Sequence, residues 1–99
     1  MIDVIAIQME EGYNHLEHIV KLKWVEADRP GSPAKTQPKI ATRKEMYDFV
    51  KDNPEQVFAI SQNDNKWAYL EAVNAHVQYV KTMPDSTKSD NLLSLPRFK

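Results

Sequence analysis

The chain has no cysteine and only two glycines among its 99 residues. Without cysteine it cannot form a disulfide, a thiol nucleophile or a zinc site built on thiolates. Gly12 and Gly31 lie far apart, which excludes a glycine-rich phosphate-binding loop. No apolar run is longer than Val4–Ile7, whereas spanning a bilayer takes roughly 20 apolar residues. The sequence therefore predicts no membrane segment.

An excess of charge of either sign is also missing. The 13 Lys and Arg residues nearly balance the 14 Asp and Glu residues, for a formal net charge of −1. Dedicated nucleic-acid binders carry a clear basic excess, and acidic disordered tails carry the opposite, so the charge balance argues against both classes.

The hydrophobic fraction of 41% and the length suit a single globular domain over residues 1–99. Since no basic leader with an apolar run and a cleavage site opens the sequence, we expect a cytoplasmic protein.

Alternation of apolar and polar residues predicts most of the strands. Ile2–Met9 is apolar at both alternating sets of positions, which favours a strand near the centre of a sheet. The segment His15–Val25 has a mainly apolar face and a mainly polar face, as in an antiparallel strand with one face in water. Three more strands are predicted at residues 56–61, 67–73 and 77–83, forming a meander.

One helix is predicted immediately after residue 41. Thr42 and Glu45 have the spacing of a capping box, in which each side chain bonds the backbone N–H of the other residue. Pro54 disfavours helical backbone at Asn53, so the helix should end near Asp52 or Asn53. Its predicted buried stripe, at helical spacing, is Met46, Phe49 and Val50.

The order β-β-α-β-β-β predicts an α+β domain, with a single antiparallel sheet of about five strands and one helix packed on one face. Residues 28–41 hold three of the six prolines, which predicts a flexible loop. The three leucines in residues 84–99 predict a tail that docks on the domain. The predicted core comprises Leu16, Val20, Leu22, Trp24, Met46, Phe49, Val50, Phe58 and Leu70.

Two motifs stand at the end of the sequence. Tyr79, Thr82 and Asp85 form a Tyr-x-x-Thr-x-x-Asp pattern, and residues 90–96 read Asp-Asn-Leu-Leu-Ser-Leu-Pro. With these motifs the chain resembles a bacterial family of small uncharacterised proteins known as domain of unknown function 3892. The resemblance implies a compact bacterial or phage-borne cytoplasmic domain, and it supplies no substrate, cofactor or catalytic residue.

The clusters of titratable residues predict neither a metal site nor an active site. His15 and His18 are three residues apart, which on a strand places them on opposite faces and prevents shared binding of an ion. Asp85 and Asp90 could approach each other as a cation site or an acid–base pair. We expect them instead to accept backbone N–H groups in a turn. The sequence thus predicts no enzyme, no cofactor and no metal.

These observations favour a protein-interaction module that acts by binding rather than by catalysis. A small sheet offers an open face and edge strands to a partner protein, or to a second copy in a weak homodimer, and otherwise the domain is a monomer. Nucleic-acid binding is the alternative, because lysines beside aromatic rings on an open sheet face can hold a single strand. The predicted binding residues are Lys21, Lys23, Tyr69 and Tyr79.

Overall fold

A computed structural model describes residues 1–83 and 91–99, and in this part of the chain it has six strands and one α-helix. Two short 3-10 turns accompany them, at Leu16–His18 and Asn91–Ser94. The regular elements are β1 (Ile2–Met9), β2 (Ile19–Glu26), β3 (Lys39–Thr42), α1 (Arg43–Asp52), β4 (Val57–Ile60), β5 (Trp67–Asn74) and β6 (Gln78–Thr82).

The strands form one sheet in the order β3-β2-β1-β4-β5-β6. The predicted α+β domain with a single sheet is confirmed, and β4, β5 and β6 form the predicted meander. The prediction of a purely antiparallel sheet of about five strands is wrong, because β1 and β4 pair in parallel and β3 adds a sixth strand. After α1 the chain returns beside β1 in the same direction, which alternation along a strand cannot reveal.

Strand β3 occupies the end of the segment predicted to be a loop through residue 41. Its four residues pair with β2, with Ala41 opposite Leu22 and Ile40 opposite Lys23. The sequence of β3 does not alternate, because its two apolar residues, Ile40 and Ala41, are adjacent and neither is buried. The long loop therefore ends at residue 38.

Helix α1 begins and ends where the sequence predicts. The Thr42 hydroxyl accepts from the Glu45 N–H at 3.1 Å, and the Glu45 carboxylate accepts from the Thr42 N–H at 2.9 Å. The bond from the Thr42 N–H lowers the pKa of the Glu45 carboxyl. The predicted stripe is wrong at Phe49, which is 42% exposed, whereas Tyr47 is buried. At 100° per residue, Phe49 lies about 110° around the axis from the centre of the buried arc.

Two β-bulges decide which residues of β1 and β2 face the core. The β1–β2 register shifts between Val4 and Ala6, so Val4 and Ile7 both point into the core and are fully buried. A second shift between Gln8 and Met9 leaves Val20 unpaired, and Ile19 is buried in its place. A bulge adds one residue to one strand and inverts the alternation beyond it.

The predicted core is right at five positions and only partly right at three. Leu22, Met46, Val50, Phe58 and Leu70 are buried. Half-buried instead are Leu16, Val20 and Trp24. Leu16 lies in the 3-10 turn that replaces the first residues of the predicted strand His15–Val25, so it does not follow the strand's alternation.

Two leucines of the last described residues pack on the side of the sheet that contacts α1. Leu92 and Leu95 belong to the same buried cluster as the core residues of α1. Next to them the Ile7 N–H donates to the Pro96 carbonyl at 3.0 Å, and the Phe98 N–H donates to the Ile7 carbonyl at 3.0 Å. The tail thus runs beside β1 and pairs with it through a single parallel bridge between Ile7 and Arg97. The predicted Asp85–Asp90 pair lies outside the described residues.

Candidate functional site

The four predicted binding residues lie on one side of the sheet, opposite α1, which we call the outer face. By register, Lys23 points to the same side as Ala6, Tyr69 to the same side as Phe58, and Tyr79 to the same side as Val73. Lys21 lies two residues before Lys23 on β2 and is exposed. The four residues therefore share one face, as the alternation along the strands indicates. Sharing a face does not make them a cluster.

The structure does not bring the predicted lysines and tyrosines together. β2 and β5 are three strand spacings apart in the sheet, which is roughly 14 Å. Between these strands, the Lys23 ammonium lies over the Phe98 ring, 4.6 Å from its centre. Farther out, the Lys81 ammonium pairs with the Glu71 carboxylate at 3.3 Å. Lys23 and Lys81 thus already have partners within the chain.

An aromatic cluster lies on β4 and β5 instead. The Trp67 ring meets the Tyr69 ring edge to face at 5.0 Å between centres and the Phe58 ring at 6.3 Å. Phe58 is fully buried, whereas Trp67 is 44% exposed. Edge-to-face contacts of this kind restrict the ring and add stability beyond the buried area. The cluster holds an exposed indole in one orientation.

A single carboxylate lies beside this cluster, in a row of residues that crosses four strands. The row runs from Val25 on β2 through Asp3 on β1 and Phe58 on β4 to Tyr69 on β5, and each residue is the register partner of the next. Val25 is 4% exposed and Phe58 is 0% exposed, so the centre of this face is more deeply buried than the alternation along the strands predicted. Burial in these surroundings raises the pKa of the Asp3 carboxyl from 3.8 to about 6. Sequence reasoning missed Asp3, although it is the one charged residue of β1.

The other side of the sheet has a small apolar groove at the edge of α1. Its volume is about 120 Å³, and the Lys39 ammonium lies 5.5 Å from the centre of the Trp24 ring at its rim. The residues that line the groove are Ile2, Trp24, Ala41, Met46 and Phe49. The lining is apolar apart from the indole N–H of Trp24, and the volume of the groove is below the usual range for small-molecule sites.

The predicted separation of the two histidines is wrong. His15 precedes a 3-10 turn and His18 is its last residue, and their ring centres are 6.5 Å apart. In such a turn residues i and i+3 lie above one another. The Nδ1 atom of His18 lies 2.8 Å from the Glu10 carboxylate, and Tyr13 stacks on its ring at 3.9 Å. Across residues 1–83 and 91–99, no three acidic or histidine side chains are placed to hold a metal ion.

Comparison with known proteins gives one match. A family model described as "Protein of unknown function (DUF3892)" matches residues 3–96, almost the whole chain. The chain belongs to this family. No curated protein and no solved structure matches this DUF3892 protein. Among its described residues, no helix has the length and apolar character needed to cross a membrane.

In this DUF3892 protein, the residues after position 90 hold the sheet together. The buried Asn91 side-chain amide donates to the carbonyls of Ala59 at 3.1 Å and of Lys66 at 3.2 Å. The Arg97 guanidinium donates to the Leu93 carbonyl at 3.1 Å and to the Asn14 side chain at 3.2 Å. Among these acceptors the Ala59 carbonyl is buried, and it needs such a donor because an unpaired polar group is costly inside a protein. These contacts give the tail a structural role.

Proposed function

We propose that the domain binds another polypeptide on its outer face, with Trp67 and Tyr69 at the centre of the contact, and that it acts by binding rather than by catalysis. The observation that carries this proposal is the exposed Trp67 side chain, held edge to face against Tyr69. Tryptophan and tyrosine are enriched among residues that contribute most to protein–protein binding. A ring that its neighbours already restrict loses little entropy when a partner covers it.

The charges of the outer face favour a protein partner over a nucleic acid. Single-strand binding needs cations that follow the phosphate backbone beside stacked bases. Lys23 lies over Phe98 and Lys81 pairs with Glu71, while the centre of the face holds the carboxylate of Asp3. A carboxylate in this position repels phosphate, which supports the polypeptide as ligand.

Selection from a displayed library of random peptides tests the proposal. The immobilised wild-type domain should enrich a set of peptides, and Trp67→Ala should weaken their binding by about tenfold or more, a typical loss for a central interface aromatic. Phe49→Ala is the matched control, since Phe49 is almost equally exposed but lies on α1. Failure to enrich any peptide would contradict the proposal, as would peptides that depend on Phe49 or on neither residue.

Fluorescence anisotropy with single- and double-stranded oligonucleotides at low salt tests the alternative. We expect no saturable binding of either oligonucleotide. Saturable binding that the charge reversals Lys21→Glu and Lys23→Glu abolish would identify a nucleic-acid interface and contradict a polypeptide as the main ligand.

A further inference from the structure

Resting on the proposed function, we infer that Asp3 is the recognition point for a lysine or arginine side chain of the partner, beside the aromatic cluster of Phe58, Trp67 and Tyr69. The site would select a partner with one basic side chain near the residues that cover Trp67.

The first argument is the position of Asp3 in the sheet. It lies between Val25 on β2 and Phe58 on β4, and both of these apolar side chains are almost wholly buried. Asp3 itself is only half-buried, so a ligand can reach its carboxylate. An accessible carboxylate between two buried apolar side chains has a lower local dielectric constant than a fully solvated one. It therefore interacts more strongly with a ligand cation.

The second argument is that this carboxylate has no counter-charge within the described residues. Its backbone pairs with the neighbouring strands, but no side-chain hydrogen bond or ion pair joins the Asp3 carboxylate to the rest of residues 1–83 and 91–99. The nearest lysine by register is Lys23, two residues before Val25 on the neighbouring strand, and its ammonium lies over the Phe98 ring instead. A partly buried charge without a partner is unfavourable, and a cation from a ligand would relieve this.

The third argument is the set of rings beside Asp3. Phe58 is one strand spacing away and Tyr69 two, roughly 5 Å and 10 Å. A lysine or arginine that starts over Trp67 and Tyr69 could lay its apolar stem across this row and place its charge at Asp3. Aromatic rings next to the cation would add a favourable electrostatic contact. Position, charge and ring arrangement thus favour the same ligand group.

Titration by NMR with small probes tests this inference. The probes are N-acetyl-arginine methylamide and its neutral counterpart N-acetyl-citrulline methylamide, and the signals are the Asp3 carboxyl carbon and the Trp67 indole N–H. We expect the arginine probe to shift both signals saturably and the citrulline probe to bind at least about tenfold more weakly. Asp3→Asn should reduce binding of the arginine probe to the level of the citrulline probe, and Asp3→Glu should restore part of it.

Several outcomes would overturn the inference without touching the proposed function. Equal binding of the two probes would show that charge is not recognised, and unchanged binding to Asp3→Asn would show that the carboxylate is not the recognition point. A wild-type Asp3 carboxyl that titrates with a pKa near 4 or below would mean that in solution the carboxylate is either fully solvated or already paired with Lys23 or another cation. In each case, peptides selected by the library could still depend on Trp67, and the proposed function would stand.

Discussion

Replacing Asp3 by asparagine should stabilise this protein at neutral pH. The fold holds the carboxyl between Val25 and Phe58 and raises its pKa from 3.8 to about 6. The native state therefore binds the proton more tightly than the unfolded state does. Wild-type stability should fall as the pH rises from about 4 to about 6, and it should stay at the lower level above that range.

The size of the effect follows from this difference in pKa. The change from 3.8 to about 6 corresponds to an upper limit of about 3 kcal/mol in the free energy of unfolding. Because the Asp3 side chain is only half-buried, solvent screens its charge and reduces this contribution to about 1 kcal/mol. Asparagine has a similar shape and carries no charge, so Asp3→Asn should recover that amount above about pH 6 and almost nothing near pH 4.

Urea denaturation followed by tryptophan fluorescence, at about pH 4 and at about pH 7.5, measures both parts of the prediction. The control is Glu11→Gln, an exposed loop carboxylate whose removal should leave stability within about 0.5 kcal/mol at both pH values. The reasoning is refuted if Asp3→Asn is no more stable than wild type at the higher pH, or if its gain is the same at both. Either result would mean that the Asp3 carboxylate is fully solvated or has a counter-charge in solution, which also removes the basis of the proposed cation site.

Three further predictions concern the fold. Thr42→Ala should lower the free energy of unfolding by about 1 kcal/mol through loss of the capping box, with Thr42→Ser near wild type; equal losses in the two variants would refute the role of the hydroxyl. Asn91→Ala should lower it by about 1–3 kcal/mol, because the buried Ala59 carbonyl loses this donor, whereas the Lys66 carbonyl keeps the Ser61 N–H; an effect within about 0.5 kcal/mol, that of a surface change, would show that the amide does not secure the sheet. Tyr47→Ala should lower the free energy of unfolding by about 3 kcal/mol or more because Tyr47 is buried, and Phe49→Ala should lower it by less than about 1 kcal/mol because Phe49 is exposed. The opposite order would mean that α1 is rotated from its position in the structure. Urea denaturation at constant pH measures all three.

The parts of this fold that depend on short-range interactions were predictable from the sequence. The bounds of α1 follow from a capping box within four residues and from Pro54 two residues after Asp52. The strands near positions 57–60, 67–74 and 78–82 follow from alternation and from the turn residues between them. Family membership likewise needed only the order of residues in the chain.

Tertiary structure alone decided the direction of β4, the bulges in β1 and β2, and the neighbours of Asp3. Each of these depends on which residue of a distant strand lies opposite: Asp3 is flanked by Val25 and Phe58, which are 22 and 55 positions away in the chain. A one-residue change of register moves every later side chain of a strand to the other face. The sequence by itself therefore placed the helix and most strands, whereas the environment of a single carboxylate, and with it the candidate site, was set by pairing across the sheet.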